Sequence, residues 1–405
     1  MNKKFLLLWF GEFISSIGSG LTSFGLGVYV FKETQSAGAM ALVTLLAFLP
    51  SVILGIPAGV LADRYDRRLL MMIGDGLSVF GLIYILICVQ NGGAKLWQIC
   101  LGVSVSAVFA AVLDPAYKAT VSDLVEPELY TKASGMVNIA GSSRYILSPI
   151  IAGIILSIWD ISVILIFDIC TFFVTVTATW VVRKGLENKK NENTMSMKEQ
   201  MMEGFAILRR KKGVLILTIY AALISLFMGF IQVLSEPLVL NFSSEKSLGI
   251  CETICAMGML VSSIFIGVKS IKKNYVKILA GSLFASGITM IFFGLKDNII
   301  LITAAGFLFF TTLPFANTVL DYLVRSNIDV SLQGRVWGVI GVICQLGSAI
   351  SYAACGVIAD LVGNIFDIGV GRGAGYSICA AGVIMSIIAL FVLKMKSVRQ
   401  LEKTN

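Results

Sequence analysis

Twelve apolar runs follow one another along this chain, each long enough to cross a hydrocarbon core as a helix, and they leave little sequence for a water-facing surface. They lie near 5–30, 38–62, 69–90, 96–122, 130–157, 160–182, 213–240, 247–268, 276–295, 298–324, 334–360 and 374–393. Hydrophobic residues make up 57% of the 405 residues and charged residues only 14%, too few polar groups to clothe a soluble protein of this length. In hydrocarbon such a run satisfies its backbone only as a helix or within a closed barrel. Alternating barrel strands of about ten residues are missing, so the expected fold class is an all-α membrane protein with twelve transmembrane helices. Several runs exceed the minimum length, which predicts tilt or helix extending beyond the bilayer. Lys3-Lys4 followed by Phe5-Leu-Leu-Leu opens like a secretory signal, but Glu12 interrupts the apolar stretch and the run continues to Phe31. It reads as a retained first span.

Charge tests this count. With the N-terminus inside, 25 of the 32 Lys and Arg residues fall in cytoplasmic segments, and five (Lys32, Lys95, Lys246, Lys296 and Arg372) fall opposite. One missed helix would invert every later loop, so the asymmetry predicts a multi-pass membrane protein with both termini cytoplasmic. The net charge of +8 follows from that topology and requires no nucleic-acid partner.

The one long polar insert splits six spans from six. The expected organisation is an N-terminal six-helix bundle (1–183), a cytoplasmic linker (184–212), a C-terminal six-helix bundle (213–394) and a cytoplasmic tail (395–405). Within the linker, Met197, Met201, Phe205 and Leu208 recur at helical spacing beside Arg209, Arg210, Lys211 and Lys212. That pattern suits an amphipathic helix on the anionic inner leaflet, and equally a solvated linker ending in positive anchors. The halves also repeat. Pro115 to Val137 superposes on Pro314 to Val336 at a constant offset of 199, matching Pro115/Pro314, Leu124-Val125/Leu323-Val324, Gly135/Gly334 and Val137/Val336. Repeated halves are the construction of rocking transporters, with the substrate site at the shared interface near the midplane.

Between spans 2 and 3 stands Gly59-Val-Leu-Ala-Asp63-Arg64-Tyr-Asp66-Arg67-Arg68, a tight acidic and basic turn held at the membrane surface. Carboxylates favour helix N-termini and guanidinium groups grip carboxylates bidentately, so this turn is a candidate latch between helix ends. It resembles the loop 2–3 signature of the major facilitator superfamily, G-x-L-A-D-R-x-G-R-[KR], at Gly59, Leu61, Ala62, Asp63, Arg64, Arg67 and Arg68, with Asp66 replacing the usual glycine. Phe-Ala-Ala-Val-Leu-Asp-Pro115-Ala116, Phe167-Asp168-Ile-Cys-Thr171-Phe172 and Gln333-Gly334-Arg335-Val336 are similar to the branch holding macrolide-efflux proteins and the enterobactin exporter. The resemblance implies a cytoplasmic gate in which Asp63 meets the start of span 11 near Gln333, Gly334 and Arg335. It also implies a charge network from Asp63 through Arg67 to an acid at the end of span 4, for which Asp123 is the positional candidate.

Ionisable groups inside a bilayer cost about 2.5–3.5 kcal/mol each on insertion scales and are functional candidates by default. Arg144 lies near the middle of span 5 and Asp168 not far from the middle of span 6, while Glu12 and Asp75 sit about two turns into spans 1 and 3. An always-charged Arg144 needs a carboxylate or a wet cavity, and Asp168 or Glu12 could neutralise it. Protonating that acid would break the pair, a route to proton coupling; the alternative is a permanent structural pair. The branch motif favours Asp168 for structure and Glu12 for coupling. With no histidine in the chain, proton sensing falls to carboxylates. Asp114 and Lys118, four apart, can pair with each other, and Asp321, Glu236, Glu252 and Asp360 fall near span ends. Ser148-Pro149-Ile-Ile-Ala152-Gly153 resembles the antiporter signature G-P-x-x-G-G with two departures.

The fold resemblance makes spans 1, 4, 7 and 10 cavity-lining, which offers Phe13, Phe24, Phe109, Tyr117, Phe227, Phe230, Gln232, Phe310 and Asn317 to the substrate. Apolar walls with few polar groups suit bulky amphipathic compounds. Eight cysteines without histidine or a Cys-x-x-Cys pair give no metal site, and no phosphate-binding loop makes ATP the energy source. The expected protein is therefore no enzyme and holds no cofactor. With the resemblance, it is expected to be a monomeric carrier in the lipid bilayer of a bacterial inner (cell) membrane that exports amphipathic small molecules of the macrolide or multidrug kind against protons. The alternatives are a carrier with narrow cargo, such as a siderophore or lysophospholipid, and a non-transporting sensor or immunity protein.

Overall fold

Where water cannot reach the backbone, every amide must find its partner locally, and the chain answers with helices. A computed structural model describes residues 2–183, 197–269, 271 and 273–403. In chain order the helices are α1 (Lys3–Thr34), α2 (Ala37–Arg64), α3 (Arg67–Gln90), α4 (Leu96–Ala110), α5 (Leu113–Leu124), α6 (Tyr130–Ile146), α7 (Ser148–Ile158) and α8 (Ile161–Arg183). There follow α9 (Met197–Arg210), α10 (Lys212–Leu240), α11 (Glu245–Val268), α12 (Tyr275–Leu295), α13 (Ile299–Asn327), α14 (Val330–Ile365), α15 (Gly369–Val392) and α16 (Lys396–Lys403). Twelve stretches among the described residues are long and apolar enough to cross a membrane, in the order the sequence predicts. Two of them are broken helices: α4 and α5 share the fourth, and α6 and α7 the fifth. The breaks precede Pro115 and Pro149, which lack the amide hydrogen that would continue the ladder. The repeat is imperfect here, because α13 runs unbroken through Pro314, the counterpart of Pro115.

The chain divides into two compact units. The first comprises Met1–Gln35, Leu42–Asn193 and Ser244–Ile250. Its core gathers Phe5, Leu8, Met71, Ala116, Leu124 and Val182. The Trp9 indole donates to the Met136 carbonyl at 2.6 Å, tying α1 to α6, and the Ser148 hydroxyl donates to the Ile17 carbonyl at 2.9 Å, tying α7 to α1. The start of α11 belongs here because the backbone of Glu245 and Gly249 lies directly against Gly153 and Pro149 of α7, with a close Lys32–Glu245 ion pair beside it.

The second unit comprises Ser36–Ala41, Thr194–Ser243 and Cys251–Asn405. The first turn of α2 joins it through Asp360. One carboxylate oxygen of Asp360 accepts from the Ala37 amide at 2.9 Å; the other accepts from the Gly38 amide at 2.9 Å and the Ser36 hydroxyl at 2.6 Å. A helix start carries unpaired amides and partial positive charge, and Asp360 answers both. Sequence alone divided the chain cleanly at the linker; these two short segments cross that division.

Neither the linker nor the tail is merely connecting. Linker residues 184–196 lie outside the described residues. Helix α9 packs on α14, with Leu208 fully buried, Gly204 against the Arg335 backbone and Arg335 paired to Glu203 at 2.6 Å. Of the predicted stripe, Leu208 turns inward and Phe205 faces outward, because the small Gly204 rather than Phe205 permits the close approach. Residues of the expected tail form α16, whose Glu402 accepts from the Tyr275 amide at 2.8 Å at the start of α12.

Helices α12 and α15 touch backbone to backbone. A Cβ on Gly294 would overlap the Gly375 carbonyl, and one on Gly287 would meet the Gly382 carbonyl and the Ser386 hydroxyl. Association inside a bilayer relies on such contacts between small residues. Gly294→Leu is expected to cost at least about 1–3 kcal/mol by overpacking. Gly281→Leu on the same helix, which would meet open space, is expected to be near neutral. Melting temperatures of the two purified variants check the contrast.

Candidate functional site

The turn between α2 and α3 is built from the helix ends outward. Asp66 is the N-cap of α3, accepting from the Arg68 amide at 3.1 Å, as an aspartate directly before a helix should. Its second oxygen takes the Arg183 guanidinium at the end of α8 at 2.7 Å. The departure of Asp66 from the glycine of the signature thus adds a cap and an ion pair. Its position before an apolar run was the readable signal.

Arg67 and Arg68 converge on one acid. Arg67 pairs with Asp123 Oδ1 at 2.8 Å and Arg68 with Asp123 Oδ2 at 3.0 Å. Arg67 also donates to the carbonyls of Ala62 at 3.1 Å and Ala119 at 3.3 Å, joining the ends of α2 and α5. The Arg68 side chain is only 3% exposed, so this is a desolvated clasp rather than a surface pair. The expected link from Arg67 to Asp123 is present. Arg68, a match to the signature, closes the fork from the other side. Gly59 is half-buried and Arg64 exposed at the end of α2. The Asp63 side chain lies outside the described residues.

In the second unit the Gln333 amide donates to the carbonyls of Arg325 at 3.0 Å and Ile328 at 3.1 Å, closing the corner between α13 and α14. Gly334 is exposed, and Arg335 is held by Glu203. Asp321 pairs with Arg325 at 2.8 Å on one exposed helix face.

The coupling candidates gather in the first unit. Asp75 is 1% exposed with Oδ2 unpartnered, and the charges of Glu12 and Asp168 both act on it. Glu12 keeps its Oε2 enclosed without a partner, and Tyr117, in the electrostatic reach of Glu12, has its hydroxyl buried and unpartnered. Asp168, also 1% exposed, accepts from the Thr171 hydroxyl at 3.3 Å and lies against Gly18 of α1. Arg144 does not close an ion pair with Asp168 or Glu12. Its side chain is exposed in the last turn of α6, ahead of the break at Pro149, where unpaired carbonyls favour a cation. Its charge still acts on Asp168 across that gap. Asp114 and Lys118 pair with each other at 2.7 Å, as their spacing predicts.

The nine candidates for contact with substrate separate by burial. Phe24 and Phe227 are each 4% exposed, packed inside their own units, so they are core residues instead. Phe227 borders a small apolar pocket with Tyr220, Ile224 and Leu283. Tyr117 is equally buried but keeps its polar tip beside Glu12. Phe13 stacks on Trp9 at 5.5 Å, and Phe310 meets Phe309 edge-on at 5.3 Å. Phe109 and Phe230 are half-buried, Gln232 accepts from the Tyr352 hydroxyl at 2.7 Å, and Asn317 is exposed. The resemblance assigns whole spans to the cavity, whereas the face each residue takes is decided by packing.

Known proteins agree with this architecture. Macrolide efflux protein A of Streptococcus pyogenes is 25% identical over 371 residues, covering 89% of this chain and 90% of that one. The MFS-type transporter YfiS of Bacillus subtilis (strain 168) is 26% identical over 378 residues, covering 89% and 88%. Among solved structures, the nucleoside transporter NupG superposes with a TM-score of 0.75 at 14% identity, covering 98% of this chain and all of that one. The family profile of the Major Facilitator Superfamily matches residues 8–352. With that match across both units, the twelve spans and the signature turn between α2 and α3, the chain belongs to the Major Facilitator Superfamily.

Proposed function

We propose that this transporter exports amphipathic small molecules, of the macrolide or multidrug kind, by alternating access in exchange for protons across a bacterial cell membrane. The observation that carries the exchange is the group Glu12, Asp75 and Asp168, three enclosed acids in one unit with an unpaired, exposed Arg144. Carboxylates crowded in a poorly solvated site do not all stay charged, which is the property a proton carrier requires. The relatives named for macrolide efflux support the direction and the substrate class. Phe13 and Phe109 in the first unit, and Phe230 and Phe310 in the second, are half-buried aromatic residues, a chemistry that suits amphipathic compounds.

In this reading the Arg67–Asp123–Arg68 clasp is part of a cytoplasmic latch completed by Asp63. Asp63→Asn is expected to cripple transport while leaving insertion intact; wild-type flux from a correctly inserted variant refutes the latch. The function itself is tested by susceptibility profiles of cells with and without the chain, at two external pH values. Protection against several amphipathic antibiotics that weakens at alkaline external pH supports the proposal. Protection against none, with counterflow of a single physiological compound in proteoliposomes, would establish a narrow-cargo carrier instead. Absence of any counterflow would leave the sensor.

A further inference from the structure

Helix α9 gives one face to its own unit and leaves another uncovered. Gly204 lies against the Arg335 backbone of α14, and Leu208, one turn on, is fully buried. Residues three, four and seven apart share a face of a helix, which sets Met202, Phe205, Ala206 and Arg209 on the side away from that contact. Met202 is 64% and Phe205 54% exposed, and Ala206 and Arg209 are exposed with them. A single exposed apolar side chain is ordinary on a protein surface. This pair is set apart by where its helix ends and by the charges beside it.

Only Lys211 separates α9 from α10, a helix long and apolar enough to cross the membrane. The last turn of α9 is therefore tethered at headgroup depth, and Phe205 lies less than two turns from that end. Arg209, Arg210 and Lys212 are exposed there and form no ion pair among the described residues. Lys211 donates to the Asn327 carbonyl, a neutral group that leaves its charge in place. Glu203, the acid of α9 nearest this end, is already held by Arg335 at 2.6 Å. An apolar stripe flanked by uncompensated cations is the pattern of a helix that lies in a bilayer interface carrying anionic lipid. An acidic protein would answer the charge alone; the interface answers the charge, the apolar pair and the tether together.

We propose that the outer face of α9 docks on anionic phospholipid, with Met202 and Phe205 entering the acyl boundary while Arg209, Arg210 and Lys212 hold phosphate headgroups. Guanidinium groups suit that task because their fork of donors matches phosphate oxygens. The inner face of the same helix packs on α14, so lipid bound outside steadies the linker helix on the second unit. The docking is independent of which compound is exported and of what drives export.

The test uses the purified full-length protein in detergent, supplemented with phosphatidylglycerol or with phosphatidylcholine, and reads the melting temperature. Phosphatidylglycerol is expected to raise that of the wild type by about 2–4 °C more than phosphatidylcholine does. Phe205→Ser, and separately the double variant Arg209→Gln with Arg210→Gln, are each expected to lose at least half of that extra rise. All three side chains are exposed, so the variants fold, and any change common to both lipids cancels in the comparison. A control of equal charge, Lys273→Gln with Lys277→Gln, removes two exposed cations near the start of α12 and is expected to keep the rise. The proposal is overturned by no extra rise in the wild type, by an undiminished rise in the α9 variants, or by an equal loss in the α12 control, which would mean diffuse attraction. A change of oligomeric state in Phe205→Ser, measured by light scattering, would also overturn it and assign the face to a second copy.

Discussion

Asp123→Ala is expected to destabilise the protein by about 3 kcal/mol and to abolish transport. The acid holds two guanidinium groups at 2.8 and 3.0 Å, and the Arg68 side chain is 3% exposed. Removing one partner of a buried pair strands the other charge, which costs about 3–5 kcal/mol. The lower end applies because the Asp123 side chain retains 21% exposure, so some water reaches the site. Arg67 keeps its bonds to the Ala62 and Ala119 carbonyls, whereas Arg68 already has a buried Nε without a partner and would lose its one ion pair among the described residues. Arg67→Ala alone is therefore expected to cost less than Asp123→Ala, and the double variant little more than Asp123→Ala. Melting curves of the three variants form the cycle, and additive losses would show that the clasp does not act as a unit. Asp123→Asn keeps an acceptor without the charge and is expected to fall between.

Glu12→Gln is expected to uncouple export from the proton gradient while leaving downhill counterflow in place. For one proton exchanged, a gradient of one pH unit drives about tenfold accumulation, equivalent to about 1.4 kcal/mol. Glutamine fills the same volume and carries no exchangeable charge, so the variant is expected to lose that tenfold and respond to substrate gradients alone. Vesicle uptake with and without an imposed pH step is the measurement. A normal response assigns the exchange to another acid, and Asp75→Asn is then the next variant, since Asp75 is equally enclosed and unpartnered. Asp168 is a weaker choice, because Thr171 and the surface of α1 at Gly18 already hold it.

Much of this architecture can be read from residue order. Span count follows from run length and from the side on which Lys and Arg accumulate, both properties of a segment against the bilayer rather than against its neighbours. The signature turn was legible because its chemistry is local: Asp66 caps the helix that begins at Arg67, and the matched arginines sit at that helix start. Asp114–Lys118 and Asp321–Arg325 were legible, or could have been, from a spacing of four on one helix.

Contacts between segments far apart in sequence were not legible. Nothing along the chain says that Asp360 would cap the start of α2 or that Glu203 would hold Arg335. Nor does it say that Glu236 would be enclosed although it lies near the end of its helix. Chain order and hydropathy were enough to specify which segments become helices and how many cross the membrane, because each answers alone to lipid and water. The partners of each charge depended on how the helices rotate and pack, since half a turn of rotation exchanges a lipid-facing carboxylate for an enclosed one.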